Sequence, residues 1–107
     1  MATPEGIVKT AVKKILVTYG SYYHCPVQNG MGSPSLDFVG CYFGRYYAIE
    51  TKAPGKKPTP RQEFTIQGIR ASGGKVFVIS GDEGYDELRE WLELTRGAYM
   101  RNLCERP

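Results

Sequence analysis

The chain is poor in the residues that build disulfide frameworks, structural zinc sites or membrane anchors. Its three cysteines are an odd number without Cys-x-x-Cys spacing, and it has one histidine. Neither a set of disulfides nor a Cys/His zinc cluster is therefore expected. No apolar run reaches the length of about eighteen residues that a membrane span needs, and the N-terminus has no apolar signal core. We therefore expect a cytoplasmic protein with reduced thiols and no membrane association.

Size and charge narrow the class of protein further. A chain of 107 residues forms one small domain, expected here over 1–107 with a core of about 3–95 and a tail of 96–107. The net charge of +3 is a mild excess that suits a polyanionic partner without identifying one. Residues 52–61 are more informative, because they contain no acid and four basic side chains: Lys52, Lys56, Lys57 and Arg61.

Hydrophobic periodicity and turn residues predict three helices and four strands in the order α-β-β-β-α-β-α. The expected bounds are a helix at 4–18, an edge strand within 19–27, strands at about 35–42 and 45–52, a helix at about 60–72, a strand at 75–80 and a helix to about 95. The strand at 75–80 is expected to be central because its apolar run is continuous. Residues 28–34 are predicted to be a turn-rich connection. This order implies an α/β fold, with one mixed sheet and helices on both of its faces.

The middle of the chain is predicted to be a hairpin that brings acids together. Two runs rich in aromatic and β-branched residues flank the Phe-Gly pair at 43–44, although phenylalanine is unusual in a two-residue turn. Pairing Tyr42 with Arg45 places Asp37 directly opposite Glu50, and a four-residue loop gives the same register. Like charges in that position are destabilising, so the pair needs an offsetting interaction.

Strand alternation adds a cation to this pair. Ala48, Glu50 and Lys52 share one face of their strand, so two carboxylates and an ammonium converge. A hard divalent cation such as Mg²⁺ takes one or two carboxylates and leaves its other positions to waters and substrate phosphates. The spacing therefore predicts a metal site at which Lys52 holds a water or helps to deprotonate it. Lys56, Lys57 and Arg61 are expected to contact flanking phosphates.

Asp37 followed by Glu50-Thr51-Lys52 resembles the signature of the PD-(D/E)xK nucleases. The neighbouring residues are similar to those of the virus-type replication and repair nuclease (VRR-NUC) branch over roughly residues 3–81. These neighbours are Gly40, Ile49, the loop 53–60, Gln62 and Gly73-Gly74. One departure is that Pro34 stands three residues before Asp37, whereas the family commonly has Pro-Asp.

The resemblance implies a restriction-endonuclease-like αβββαβ core with an additional C-terminal helix. It also implies a DNA endonuclease that depends on Mg²⁺ or Mn²⁺. Small stand-alone phage members suggest a homodimer that acts on branched DNA or Holliday junctions, in the host cytoplasm if the chain is phage-encoded. The implied catalytic residues are Asp37, Glu50, Lys52, Gln62 and Glu5. The implied metal ligands are Asp37, Glu50, the Thr51 backbone carbonyl and Glu5.

Alternatives remain for single residues and for the whole chain. Glu5 is also a helix-dipole partner behind the N-cap Thr3, and Gln62 is also a capping-box partner of Thr59. A non-catalytic nucleic-acid-binding module would use Asp37 and Glu50 only as ion-pair partners of Lys52 and Arg45. A phosphate-binding P-loop around Gly55 is excluded, because the positions that need glycine and Ser/Thr hold Glu50 and Lys57.

Overall fold

The computed structural model describes residues 2–27 and 34–105, so the connection predicted at 28–34 lies outside the described residues except for Pro34. The elements are α1 (Pro4–Tyr19), β1 (Tyr22–His24), β2 (Phe38–Tyr42), β3 (Arg45–Thr51), α2 (Pro60–Ala71), β4 (Lys75–Ile79) and α3 (Asp82–Glu105). The predicted α/β fold and its order of elements are confirmed.

The four strands form one mixed sheet in the order β1-β2-β3-β4. The β1–β2 and β2–β3 pairs are antiparallel, whereas β3 and β4 are parallel. Within the described chain β4 is therefore an edge strand, and the prediction that 75–80 is central was wrong. Its apolar run has another cause, since Val76 packs on one face of the sheet while Phe77 and Ile79 pack on the other. A continuous apolar run indicates that both faces of a strand are buried, but it does not indicate whether the strand has a neighbour on each side.

Helices cover the two faces unequally. On one face Ala48 and Val76 pack against Ile66 of α2. On the other face Tyr47, Ile49 and Phe77 belong to the larger cluster, which α1 and α3 complete. Because side chains alternate along β3, Glu50 lies on the same face as Ala48 and points toward α2.

The hairpin turn fixes the register of β2 and β3. Tyr42 pairs with Arg45, and the two turn residues have positive φ, 48° at Phe43 and 83° at Gly44. This geometry belongs to a type I′ turn, in which a phenylalanine is strained. The centroid of the Phe43 ring lies 4.7 Å from that of the Tyr42 ring and 5.0 Å from that of the Tyr99 ring. These aromatic contacts offset the strain. The predicted register is confirmed.

Helix α3 continues to Glu105, well beyond the end predicted at about 95, so that boundary was wrong. Among the residues that the structure describes, the last buried one is Thr95, and the apolar periodicity on which the prediction depended stops there. The sequence beyond it contains no proline before Pro107, so nothing in the backbone ends the helix. Tyr99 anchors this extension on the Phe43 ring.

The remaining expectations about the chain concern thiols and membranes. Cys25, Cys41 and Cys104 are free and exposed, as expected for a protein without a disulfide framework. Among the described residues, no helix combines the length and the apolar character needed to cross a membrane.

The close packing of β1 on β2 gives a prediction for Gly40. A Cβ at this position would collide with the Tyr22 carbonyl oxygen and, at 2.5 Å, with the Tyr47 ring. Gly40→Ala should therefore lower the free energy of unfolding by about 1–3 kcal/mol. At Gly68 in α2 an added Cβ meets nothing, so Gly68→Ala should raise it by about 0.5–1 kcal/mol. Denaturant melts measure both, and equal effects would contradict the packing described here.

Candidate active site

The predicted acid pair lies where β2 begins and β3 ends. Phe38 pairs with Ile49 as the last step of the ladder, and one further step brings Asp37 beside Glu50. Asp37 occupies a bend just before β2, and its side chain is 16% exposed. Glu50 is only 3% exposed. Two carboxylates of low exposure therefore share one end of the sheet.

Asp37 is fixed by bonds to the strand that carries Glu50. Its Oδ2 accepts hydrogen bonds from the Thr51 backbone N–H at 2.9 Å and from the Thr51 hydroxyl at 2.7 Å. Its Oδ1 lies 3.7 Å from the Lys9 ammonium of α1. These contacts hold the carboxylate in one orientation.

Glu50 contacts an amide and an ammonium. Its Oε2 accepts a hydrogen bond from Gln62 Nε2 at 2.8 Å and lies 3.4 Å from Lys52 Nζ. Burial, with a smaller contribution from the Asp37 charge, raises the pKa of Glu50 to about 6, although Lys52 opposes the shift. The like-charge repulsion expected from the sequence therefore contributes to the shift, but burial is the larger cause.

Gln62 makes the contacts of the capping box and also contacts Glu50, so the two alternatives left by the sequence are compatible in geometry. Its Oε1 accepts from the Thr59 backbone N–H at 2.9 Å, and its own backbone N–H donates to Thr59 Oγ1 at 3.2 Å. Its Nε2 is thereby directed at Glu50. The capping box of α2 and the orientation of the buried carboxylate depend on the same amide group.

Glu5 is linked to the acid pair through a residue that the sequence analysis missed. Lys9 Nζ lies 3.7 Å from Glu5 Oε2 and 3.7 Å from Asp37 Oδ1, so it stands between the two acids. Across residues 2–27 and 34–105, no group of three or more His, Cys, Asp or Glu is arranged to hold a metal ion. The spacing of Glu5 and Lys9 by four residues was the available signal, but the reach to Asp37 depends on how α1 packs.

The basic residues differ in their relation to these acids. Lys52 is partly buried against Glu50, whereas Lys56 and Lys57 are exposed in the loop before α2 and Arg61 is exposed in its first turn. Arg45 begins β3, five residues from Glu50, which is about 17 Å along a strand. It is too distant to be the ion-pair partner that a purely binding module would need.

Comparisons with known proteins identify a similar solved structure. No family model and no curated protein matches the sequence. A solved structure described as "VRR_NUC domain" superposes with a TM-score of 0.72 at 26% identity, covering 83% of this chain and 97% of that chain. The aligned part thus includes nearly the whole of the known domain.

The raised pKa of Glu50 predicts how the stability of the metal-free protein depends on pH. Its folded-state value of about 6 exceeds the ordinary 4.5, so the contribution from protonated Glu50 is complete below pH 4.5 and lost as pH rises through 6. Glu50→Gln should leave stability unchanged at low pH and raise the free energy of unfolding by about 2 kcal/mol at pH 8. Melts across this range, in a chelator, measure the difference.

The control for this experiment is Glu63→Gln, which removes an exposed acid from the first turn of α2. An anion in the first turn of a helix is favourable, so this change should lower the free energy of unfolding at pH 8 by less than about 1 kcal/mol, opposite in direction to the effect of Glu50→Gln. A Glu50→Gln difference that does not vary with pH would contradict the raised pKa.

Proposed function

This chain has the fold of a VRR-NUC domain, and on that basis we propose that it is a DNA nuclease that hydrolyses phosphodiester bonds with Asp37, Glu50 and Lys52. The observation that carries the proposal is the pair formed by the buried Glu50 and the partly buried Asp37, with an ammonium 3.4 Å from Glu50. Such a pair contributes little to the stability of the fold, because burial disfavours the charge on Glu50.

The donor set fits a hard divalent cation, and Mg²⁺ or Mn²⁺ is the proposed cofactor. Asp37 and Glu50 each lie against an ammonium, so both carboxylates attract positive charge. Mg²⁺ requires only one or two protein carboxylates. The proposed ligands are therefore Asp37, Glu50 and the Thr51 backbone carbonyl, with Glu5 as a further contributor. Such an ion supplies Lewis acidity and lowers the pKa of a bound water.

The neighbouring side chains have separate proposed roles. Lys52 orients the attacking water and neutralises charge on the phosphate, for which a compact ammonium is well suited. Gln62 keeps the Glu50 carboxylate in a single orientation through its hydrogen bond. Preorganised groups of this kind stabilise developing charge without having to reorient during the reaction.

The proposed substrate is DNA, held by Lys56, Lys57 and Arg61 through phosphate contacts that carry no sequence information. Preference for branched DNA or Holliday junctions, and assembly as a homodimer, are further proposals that rest on the resemblance to small phage nucleases. One domain of 107 residues is small for gripping two duplex arms, which favours a dimer. Light scattering measures the molar mass in solution and so distinguishes a dimer from a monomer.

The alternative function is a basic module that binds nucleic acid without cutting it. The ion pairs of Lys9 with Asp37 and of Lys52 with Glu50 are the contacts such a module would use for stability. It differs from a nuclease in its response to metal, since its binding would survive a chelator and no divalent ion would produce cleavage.

The catalytic proposal predicts Mg²⁺-dependent cleavage of DNA by the purified protein. Glu50→Gln, Asp37→Asn and Lys52→Met should each lower the rate by about 100-fold or more, because each removes charge that acts on the reacting phosphate or water. Gln62→Ala and Glu5→Ala should cause partial losses. A gel-based cleavage assay measures all five, with Glu63→Gln as the matched surface control. Wild-type rates in any of the first three variants would remove that residue from the proposed machinery.

The basic loop before α2 predicts how binding depends on salt. Each phosphate contact contributes about 0.9 to the slope of log affinity against log salt concentration, so Lys56→Ala with Lys57→Ala should lower the slope by about 2. The matched control is Lys13→Ala with Lys14→Ala, an equal loss of charge at two exposed positions of α1. Anisotropy titrations with Ca²⁺ in place of Mg²⁺ measure both slopes. Equal slopes in the two double variants would place the loop away from DNA.

A further inference from the structure

Phe64 is an aromatic side chain with 81% of its surface exposed, in the middle of α2. Gln62 contacts Glu50 and Ile66 is buried under the sheet, so both mark the inner side of the helix. Two residues turn an α-helix by about 200°, which directs Phe64 away from the sheet. The ring therefore has no role in the core, yet it stands one turn beyond the basic start of the helix.

A groove lies further along the same helix. It has a volume of about 590 Å³ and runs between the hairpin turn and the C-terminal end of α2. Gly68, four residues after Phe64, lines it and leaves space that a side chain would fill. Arg45 and the partly exposed ring of Tyr46 form the opposite wall. The groove thus offers an aromatic face, a guanidinium and an approachable backbone.

Arg61, Phe64 and Gly68 follow one another along one side of α2, at the i, i+3 and i+7 positions. The distance from Arg61 to Gly68 is about 10 Å at 1.5 Å per residue. This equals about three stacked nucleotides at 3.4 Å each. A strand that leaves the acid pair past the start of α2 would follow this line into the groove.

The α2 side of the sheet and the first half of α3 carry charges of opposite sign, while α1, on the same face as α3, adds the exposed lysines Lys9, Lys13 and Lys14. The α2 side carries one exposed acid, Glu63, and a larger set of exposed basic residues: Arg45, Lys56, Lys57, Arg61 and Arg70. On the opposite side, the first half of α3 carries Arg89 and a set of exposed acids: Asp82, Glu83, Asp86, Glu87, Glu90 and Glu93. A polyanion is attracted to the α2 side and repelled from the first half of α3.

We propose that the outer face of α2, from Arg61 through Phe64 into the groove at Gly68, binds a single-stranded segment of the DNA that the acid pair cleaves. An unpaired base stacks on the Phe64 ring, while Arg61 and Arg45 contact phosphates. A base within a duplex has both of its faces covered by its neighbours, so it gains nothing from that ring. The inference rests on the proposed nuclease function and specifies its substrate class, a duplex with a single-stranded arm next to the scissile bond.

The test compares two DNA probes in Ca²⁺: a blunt duplex, and the same duplex with an oligo-thymidine arm. Phe64→Ala should weaken binding to the armed duplex by about fivefold or more and leave binding to the blunt duplex unchanged. Gly68→Leu fills the groove at a helical position with open space, and it should produce the same selective loss. The control is Leu94→Ala, which removes a side chain that is 61% exposed on α3, and it should change neither affinity.

The outcomes separate this inference from the proposed function. If the wild type neither binds the blunt duplex nor cleaves DNA, the nuclease proposal is wrong, and the stacking inference, which rests on it, is overturned with it. If the wild type does both, unchanged affinity of Phe64→Ala or Gly68→Leu for the armed duplex overturns the stacking inference alone. A loss of the same size on both probes also overturns it, as does a fall in mass on light scattering, which would assign Phe64 to contact with a second copy.

Discussion

The burial of the Glu50 carboxylate beside Asp37 is the constraint on which the rest of this structure depends. A carboxylate with 3% exposure and a second acid next to it destabilises the fold unless partners surround both. Those partners come from three separate elements. Lys9 belongs to α1, Lys52 follows β3, and Gln62 belongs to α2. Helices from both faces of the sheet therefore supply contacts to the two acids at one end of the sheet.

This arrangement couples the stability of α2 to the geometry of the site. Gln62 closes the capping box of the helix with one atom of its amide and holds Glu50 with the other. Loss of the cap would release the carboxylate, and movement of the carboxylate would weaken the cap. Rigid support of this kind keeps charged groups in position for chemistry. The raised pKa of Glu50 shows that burying this carboxylate in its charged form lowers the stability of the fold.

The sequence was most informative where local rules decide the structure. The register that brings Asp37 to Glu50 follows from one turn and from strand alternation, and both are local. The contact between Lys9 and Asp37 was missed because it depends on how α1 packs across the sheet. The edge position of β4 was missed for a related reason, since an apolar strand shows that its faces are covered without showing its neighbours.

The end of α3 shows a different limit of sequence reasoning. Periodicity predicts a helix only as far as it is buried, and here the helix continues past Thr95 with exposed residues. The exposure of Phe64 was also missed, because the sequence does not show which side of a weakly amphipathic helix a single aromatic residue occupies. In both cases the sequence did not show which residues of the helix are exposed to solvent.

A calorimetric titration of Mg²⁺ into the DNA-free protein measures whether Asp37 and Glu50 together form the proposed site for a divalent cation. We expect saturable binding by the wild type at neutral pH, accompanied by a rise in melting temperature. Glu50→Gln and Asp37→Asn should remove both effects while the fold is retained. Wild-type protein that binds no Mg²⁺, or variants that bind it with unchanged affinity, would show that these two carboxylates do not form a cation site.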